Sequence, residues 1–201
     1  MNRVLLVFQK NPEIGKVKTR LAVSVGDEKA LEIYKKLIHH TRKVIEPVVA
    51  NKQIWYSTKI EEEDEWDAVH YQKSVQMGKG LGERMSTSFM NAFSNTETGK
   101  VVIIGTDCAE ITSKLIEQAF DTLESFDFVL GPAIDGGYYL LGMSQFYPSI
   151  FSDIPWSSED VCAITMKRIE SLGKSMFLLP ILSDIDTVDD WNRAQNIIDY
   201  I

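Results

Sequence analysis

The chain has 201 residues, 44% of them hydrophobic and 25% charged, which suits a folded domain with one sizeable core. Its formal net charge of −8 leaves no global basic surface for DNA or RNA, although a single nucleotide needs only a local cationic pocket. The two cysteines, Cys108 and Cys162, have no metal-binding spacing, which argues against structural zinc and fits a reducing compartment. Five apolar residues at 4–8 are too few for a signal peptide or a membrane span. We therefore expect one cytoplasmic domain over residues 1–201, without a nucleic acid polymer or a membrane as partner.

A basic segment follows the first predicted strand, Val4–Phe8. Four cations fall within positions 10–20, namely Lys10, Lys16, Lys18 and Arg20. Concentrated positive charge after a buried strand is what a triphosphate site requires. The segment is neither a P-loop nor a dinucleotide-binding fingerprint, because the required glycines and hydroxyl residue are missing. We expect residues 10–21 to form a loop, and a merely solvated basic loop is the alternative.

An acid stands at the end of the most strongly apolar run, Val101–Ile104. Gly105 ends this predicted strand, and Asp107 follows just beyond it. Ligands bind outside the carboxyl ends of strands in open α/β sheets, and a carboxylate there suits a divalent metal. We therefore predict that Asp107 holds Mg²⁺ or Mn²⁺ against nucleotide phosphates. The alternative is that Asp107 caps the helix that begins near Ile111, or forms an Asx-turn.

Strand and helix patterns alternate along the chain, which predicts an α/β fold with a doubly wound sandwich. Strands are predicted at 4–8, 53–57, 69–72, 101–104, 126–130, 138–141 and 176–179. Helices are predicted at 27–46, 82–93, 112–123 and 159–172, with a terminal helix whose first turn holds Asp189 and Asp190. Ser157 or Ser158 is the predicted cap of the fourth helix.

Two further glycine-rich segments could contact a ligand. Residues 76–82 contain three glycines in five positions before a helix, where a base edge or phosphate could bind, although a plain flexible connection is common. Asp135 lies in a turn with Gly136 and Gly137, which is either part of a substrate site or a simple hairpin turn. Near the carboxyl terminus, Asp184 and Asp186 could direct one carboxylate to a metal or serve a structural role.

Five motifs occur in order: Lys10-x-Pro12-x-x-Gly15-x-Val17-Lys18-Thr19-Arg20-Leu21, Gln76-x-Gly78-x-x-Leu81-Gly82-x-Arg84-Met85, Gly105-Thr106-Asp107-Cys108, Gly131-Pro132-Ala133-x-Asp135-Gly136-Gly137-Tyr138-Tyr139-Leu140-Leu141-Gly142 and Asp184-x-Asp186-Thr187. Together they resemble small transferases of the nucleotide-diphospho-sugar transferase (GT-A-like) fold. The nearest group is the one labelled radical-SAM/selenodomain-associated transferase 1, and the guanylyltransferases that activate phospholactate are more distantly similar. The resemblance covers essentially the whole chain. It implies a single-domain, Rossmann-like αβα sandwich with a mostly parallel central sheet.

The resemblance also implies roles for the matching positions. The residues that would bind nucleotide phosphates are Lys10, Lys18 and Arg20. Those that would border the base and ribose are Gln76, Gly78, Leu81 and Gly82. The metal ligands would be Asp107 and Asp186. The residues that would face the acceptor are Asp135, Gly136, Gly137 and Tyr138. Lys18, Asp107 and Asp135 would be the catalytic residues. The chain departs from the family at Ala109, where proline is usual, and at Gln9, where a small residue is usual.

A metal-dependent transferase with a nucleotide donor follows from this resemblance. One reaction is nucleotidyl transfer from a nucleoside triphosphate to a small phosphorylated acceptor, which the long basic segment favours. A second is glycosyl transfer from a nucleotide sugar, with Asp135 as base. A third possibility is a non-catalytic nucleotide-binding protein, against which the complete set of acids and cations weighs. The fold alone does not decide among them.

Overall fold

A mostly parallel sheet of seven strands forms the centre of the computed structural model, which describes residues 2–95 and 97–199. The strands are β1 (Asn2–Gln9), β2 (Asn51–Tyr56), β3 (Gln72–Val75), β4 (Thr98–Ile104), β5 (Phe128–Pro132), β6 (Tyr138–Met143) and β7 (Met176–Leu178). The helices are α1 (Thr19–Val25), α2 (Asp27–Ile45), α3 (Leu81–Phe93), α4 (Ser113–Thr122), α5 (Val161–Ser171) and α6 (Val188–Asp199), with a short 3₁₀ helix at Pro148–Phe151. Their alternation confirms the predicted α/β class.

Both faces of the sheet are buried, because successive side chains of a strand point to opposite faces. In β1, Leu5 and Val7 join a core layer with residues of α2 and α4, whereas Val4 and Leu6 join a second layer with residues of α3 and α5. The continuous apolar runs of β1 and β4 are explained by this double burial. Ile185 belongs to a third apolar cluster with residues of α1, α2 and α6.

The strand order is β3-β2-β1-β4-β6-β5-β7, and only β6 runs antiparallel to its neighbours, β4 and β5. The other six strands therefore point the same way, and their carboxyl ends lie along one side of the sheet, here called the carboxyl edge. Residues 10–18, 76–80, 105–112 and 133–137 all connect to strands at this edge. The link between β5 and β6 joins antiparallel neighbours, so the hairpin interpretation of the Asp-Gly-Gly turn is correct for its backbone.

Three local predictions were wrong. The basic segment is not a loop throughout, since α1 begins at Thr19. The third strand lies at Gln72–Val75 rather than 69–72, because Asp67 accepts backbone hydrogen bonds from Val69 and His70 and folds that stretch into a turn. Helix α5 begins at Val161, and no serine side chain caps it.

Candidate active site

Lys18 lies at the centre of the carboxyl edge. Its side chain is only 4% exposed, and its Nζ is 2.6 Å from Asp107 Oδ1 and 3.5 Å from Asp186 Oδ1. Its backbone is left-handed, with φ 50° and ψ 42°, immediately before α1. A non-glycine residue costs about 1 kcal/mol in this conformation. The turn thus directs the lysine inwards although the surrounding basic segment is largely exposed.

Asp107 is held at the end of β4 by the backbone. Its carbonyl accepts a hydrogen bond of 2.9 Å from the Ile185 amide. It does not cap α4, because Thr112 does so by accepting from the Leu115 amide. Oδ1 of Asp107 is buried and makes no hydrogen bond, so its contact with Lys18 is an ion pair without hydrogen-bond geometry. The capping alternative is therefore wrong, and the carboxylate is instead paired with the Lys18 ammonium.

The segment after β7 carries two more acids to the same place. Leu182 forms an isolated parallel bridge with Ala133, which extends the pairing beside β5 towards the carboxyl edge. Ile185 is buried, and the next residue, Asp186, forms an ion pair with Lys18. Asp186 also pairs with Arg20, because Arg20 Nη1 lies 3.3 Å from Asp186 Oδ2. The fold therefore brings together residues that are more than 160 positions apart in the chain.

The charges of this cluster are strongly coupled. Burial alone would lower the pKa of Lys18, but Asp107 and then Asp186 and Asp184 more than offset that effect and raise it. Burial first, and then the nearby charges of Asp107, Asp135 and Asp186, raise the pKa of the Asp184 carboxyl to about 7, although the Lys18 ammonium acts in the opposite direction. Three carboxylates, those of Asp107, Asp186 and Asp184, thus act on one buried ammonium, so Asp184 also belongs to the cluster.

The donor set fits a divalent cation of the Mg²⁺ type. Such ions are commonly bound by one or two carboxylates together with substrate phosphates and water. Asp107 and Asp186 already share one cation, the Lys18 ammonium, and Asp107 Oδ1 lacks a hydrogen bond. Across residues 2–95 and 97–199, no three Asp, Glu, His or Cys side chains are arranged to hold an ion as they stand. A metal here would take its other ligands from substrate and water.

The turn after β5 contributes Asp135 but not the hydroxyl of Tyr138. Asp135 is exposed, and its Oδ1 accepts a hydrogen bond of 2.9 Å from the Gly137 amide. The Tyr138 hydroxyl instead points into the apolar layer under α3 and α5, 4.0 Å from Met85 Sδ, and burial raises its pKa. The structure therefore does not bring this hydroxyl to the carboxylates, because Tyr138 belongs to the core face of β6.

The glycine-rich segment is fixed by packing. A Cβ on Gly78 would lie 2.7 Å from Glu83 Cβ, and one on Gly82 would lie 2.4 Å from Trp156 Nε1. Arg84 clasps the segment, with Nε 3.3 Å from the Gly78 carbonyl and Nη1 3.4 Å from Gln76 Oε1. Any larger residue at Gly78 or Gly82 would collide with these neighbours, so both positions require glycine. Packing and the Arg84 side chain therefore hold this segment at two of its glycines, and its contact with a nucleotide stays a prediction.

Apolar and polar groups of this segment face different ways. Met77 and Leu81 are 62% and 45% exposed. Gln76 instead directs its amide to the Trp55 carbonyl at 2.8 Å. Of the predicted base-binding residues, Leu81 therefore offers an open apolar surface, whereas the Gln76 side chain is engaged with the backbone.

Two predicted cations remain outside the carboxylate cluster. Lys16 is 73% exposed and pairs with Glu13 at 2.6 Å. Lys10 is exposed, and its backbone amide and carbonyl are both bonded to the Tyr34 hydroxyl. The structure thus brings Lys18 and Arg20 to the acids, leaves Lys16 in a local pair and leaves the Lys10 side chain at the rim.

Tyr34 is a residue that sequence reasoning missed, since its place in an apolar helical stripe gave no sign of its hydroxyl's role. The side chain is buried, and the hydroxyl bridges the Lys10 backbone to Thr106 Oγ1 at 3.2 Å. It therefore ties the end of β1 to the end of β4, next to Asp107.

We expect Tyr34→Phe to lower the free energy of unfolding by about 1–2 kcal/mol, because the buried partners lose their hydrogen bonds while the ring still fills its space. Urea denaturation followed by circular dichroism would measure this loss. An unchanged midpoint would contradict the bridging role. Tyr147→Phe is the control, since the hydrogen bonds of its hydroxyl to Asp127 and Gln145 are long, at 3.4 Å.

Two cavities lie away from the carboxylate cluster. One of about 770 Å³ is at the opposite edge, lined among others by Arg3, Lys100 and Asp127. Another of about 470 Å³ lies beyond β4, beside His40 and Ala109. The candidate site is instead the open carboxyl edge, defined by its converging charges rather than by an enclosed volume.

The strand order and topology identify the class of protein. The chain has the nucleotide-diphospho-sugar transferase fold, which is the fold of nucleotide-using transferases. A protein from Desulfovibrio desulfuricans G20, provisionally described as a nucleotide-diphospho-sugar transferase, is 33% identical, with a TM-score of 0.88 over 96% of this chain and 86% of that one. CMP:2-keto-3-deoxy-manno-octonic acid synthetase complexed with CTP is 10% identical, with a TM-score of 0.64 over 100% and 99%. Rv0371C from Mycobacterium tuberculosis H37Rv, in complex with manganese, is 12% identical, with a TM-score of 0.52 over 97% and 98%.

The chain belongs to the family described as "Uncharacterized protein conserved in bacteria (DUF2064)", whose model matches residues 40–158. No curated protein is significantly similar to it in sequence. Among the described residues, no helix has the length and apolar character needed to cross a membrane.

Proposed function

We propose that this protein is a divalent-metal-dependent nucleotidyltransferase that transfers a nucleotidyl group from a nucleoside triphosphate to a small phosphorylated acceptor. The observation that carries the proposal is the convergence of Lys18, Asp107 and Asp186 at the carboxyl edge, with the Lys18 ammonium 2.6 Å from Asp107 Oδ1. Acids that can hold a metal beside cations that can hold phosphates are the parts that nucleotidyl transfer needs.

The structural neighbours support a nucleotide donor. The synthetase neighbour was observed with CTP, and the Mycobacterium tuberculosis neighbour with manganese. A nucleotide at the same edge of this chain would place its phosphates near Lys18 and Arg20. The exposed apolar side chains of Met77 and Leu81 would offer a surface to its base.

In the proposed reaction, an acceptor phosphate oxygen attacks the α-phosphorus, the new P–O bond forms, and the α–β anhydride bond breaks to release pyrophosphate. Lys18 and Arg20 would bind the phosphates and stabilise the charge that builds up on the leaving pyrophosphate. Asp107 and Asp186 would hold the metal, which when bound supplies charge neutralisation to the phosphates. Asp135, in its turn with Gly136 and Gly137, would border the acceptor.

Glycosyl transfer from a nucleotide sugar is the second candidate, and one observation favours it. The 33% identical protein from Desulfovibrio desulfuricans G20 carries a provisional description as a nucleotide-diphospho-sugar transferase. In that reaction the same cations would hold the leaving diphosphate, and the exposed Asp135 would serve as base.

A thermal-shift panel separates these functions, because a ligand that binds only the folded state raises Tm, and at equal concentration a tighter ligand raises it more. We expect one nucleoside triphosphate with Mg²⁺ or Mn²⁺ to raise Tm more than its nucleotide sugars do, and the shift to vanish in EDTA. A larger shift with a nucleotide sugar would favour glycosyl transfer. No shift with any nucleotide, with or without metal, would contradict both functions.

A further inference from the structure

The Lys18 ammonium occupies the position that a metal ion would need. It lies within 2.6 Å of Asp107 Oδ1 and 3.5 Å of Asp186 Oδ1, and these carboxylates are the candidate metal ligands. Its side chain is 4% exposed, whereas that of Arg20 on the other oxygen of Asp186 is 73% exposed. An ammonium and a divalent cation cannot share the same oxygens at such distances, because their charges repel each other.

In the proposed function, the same ammonium also binds the nucleotide phosphates. The ammonium can therefore form close ion pairs with the carboxylates or with the phosphates, but not with both at once. Without Lys18, the carboxylates of Asp107 and Asp186, with Asp184 beside them, would face one another, and in the described part of the chain the exposed Arg20 would be the remaining cation paired with them. A buried cation in this position lowers the repulsion among the acids in the free protein.

We propose that Lys18 is a built-in substitute for the metal, which neutralises Asp107 and Asp186 in the free protein and moves to the nucleotide phosphates when the metal arrives. The inference rests on the proposed function and adds a rule for binding order. Metal alone must displace an ammonium whose ion pairs within residues 2–95 and 97–199 are with these same carboxylates, so it binds weakly. Metal together with a triphosphate offers that ammonium a new partner, so the two ligands strengthen each other's binding by the same factor.

The test measures Mn²⁺ binding to the full chain without nucleotide, by isothermal titration calorimetry. Lys18→Met removes the charge and keeps an unbranched apolar stem, and we expect it to bind Mn²⁺ roughly tenfold or more tightly than the wild type. Lys16→Met is the matched control, because Lys16 carries the same charge two residues away but pairs only with Glu13 among the described residues. We expect its Mn²⁺ affinity to stay within about twofold of the wild type.

Equal or weaker Mn²⁺ binding by Lys18→Met would overturn the inference, because the lysine would then not compete with the metal. If Lys18→Met does not fold alone, Mn²⁺ should restore the wild-type circular dichroism spectrum, and a chain that stays unfolded in Mn²⁺ would also overturn it. Lys18→Arg keeps the charge, and we expect no gain in Mn²⁺ affinity from it.

The proposed function and this exchange can fail separately. Tighter Mn²⁺ binding by Lys18→Met in a protein that binds no nucleotide would uphold the substitution of Lys18 for the metal, but would reject both the transferase and the move of Lys18 to phosphates. Nucleotide binding by the wild type, together with no gain in Mn²⁺ affinity in Lys18→Met, would leave the transferase standing and reject the exchange.

Discussion

Asp107→Asn should weaken nucleoside triphosphate binding in Mg²⁺ by more than about a hundredfold, since it removes the charge from the carboxylate that we propose as a direct metal ligand. The backbone of Asp107 is fixed at the end of β4 by the hydrogen bond that its carbonyl accepts from the Ile185 amide. Calorimetric titrations in Mg²⁺ and in EDTA would measure the effect, and the EDTA values should be nearly the same for variant and wild type.

The same substitution also leaves Lys18 with a weaker partner. Asp186 remains 3.5 Å away and Asp107 is 39% exposed, so water can compensate part of the loss. We expect the fold to persist with an unfolding free energy about 1–3 kcal/mol lower.

Asp189→Asn is the control for Asp107→Asn, because it makes the same charge change on an exposed residue in the first turn of α6. Its nucleotide affinity in Mg²⁺ should match that of the wild type. Wild-type affinity in Asp107→Asn itself would remove Asp107 from the metal role.

Gly136→Ala should destabilise the protein by about 3 kcal/mol or more, because two costs fall on one position. Gly136 has φ +87°, which a side chain rarely adopts, and a Cβ there would lie 2.0 Å from the carbonyl oxygen of Glu159. The backbone of the turn after β5 rests directly on the start of α5, where the Cys162 amide donates to the Gly136 carbonyl at 2.9 Å. Urea denaturation would give the loss of unfolding free energy.

Gly173→Ala separates the two costs. Gly173 has φ +66°, but a Cβ there meets nothing within 4 Å, so only the backbone strain of about 1 kcal/mol applies. Similar losses of unfolding free energy in the two variants would show that a small backbone shift relieves the collision with Glu159. A larger loss in Gly136→Ala would show that this glycine is needed for docking the turn, independently of any acceptor.

Much of the fold could be predicted from the chain by itself. The apolar runs of β1 and β4 are long because both faces of these strands are buried, and the stripe of α2 follows from its 3.6-residue period. Asp107 could be placed at the carboxyl end of a strand, because the apolar run of β4 ends at Gly105, two residues before it. These are local properties, which a sequence states directly.

Other features depended on contacts between distant segments. Helix α1 has only seven residues and no capping side chain, so its local signal was weak. The Tyr138 hydroxyl was placed by which face of β6 meets α3 and α5, which the turn sequence does not encode. Lys18 has a left-handed backbone and points inwards, where it forms ion pairs with Asp107 and Asp186. These ion pairs require that β4 and the segment after β7 meet at one edge of the sheet. The chain alone specified which residue types were available, and the long-range strand pairing decided which of them share one charged cluster.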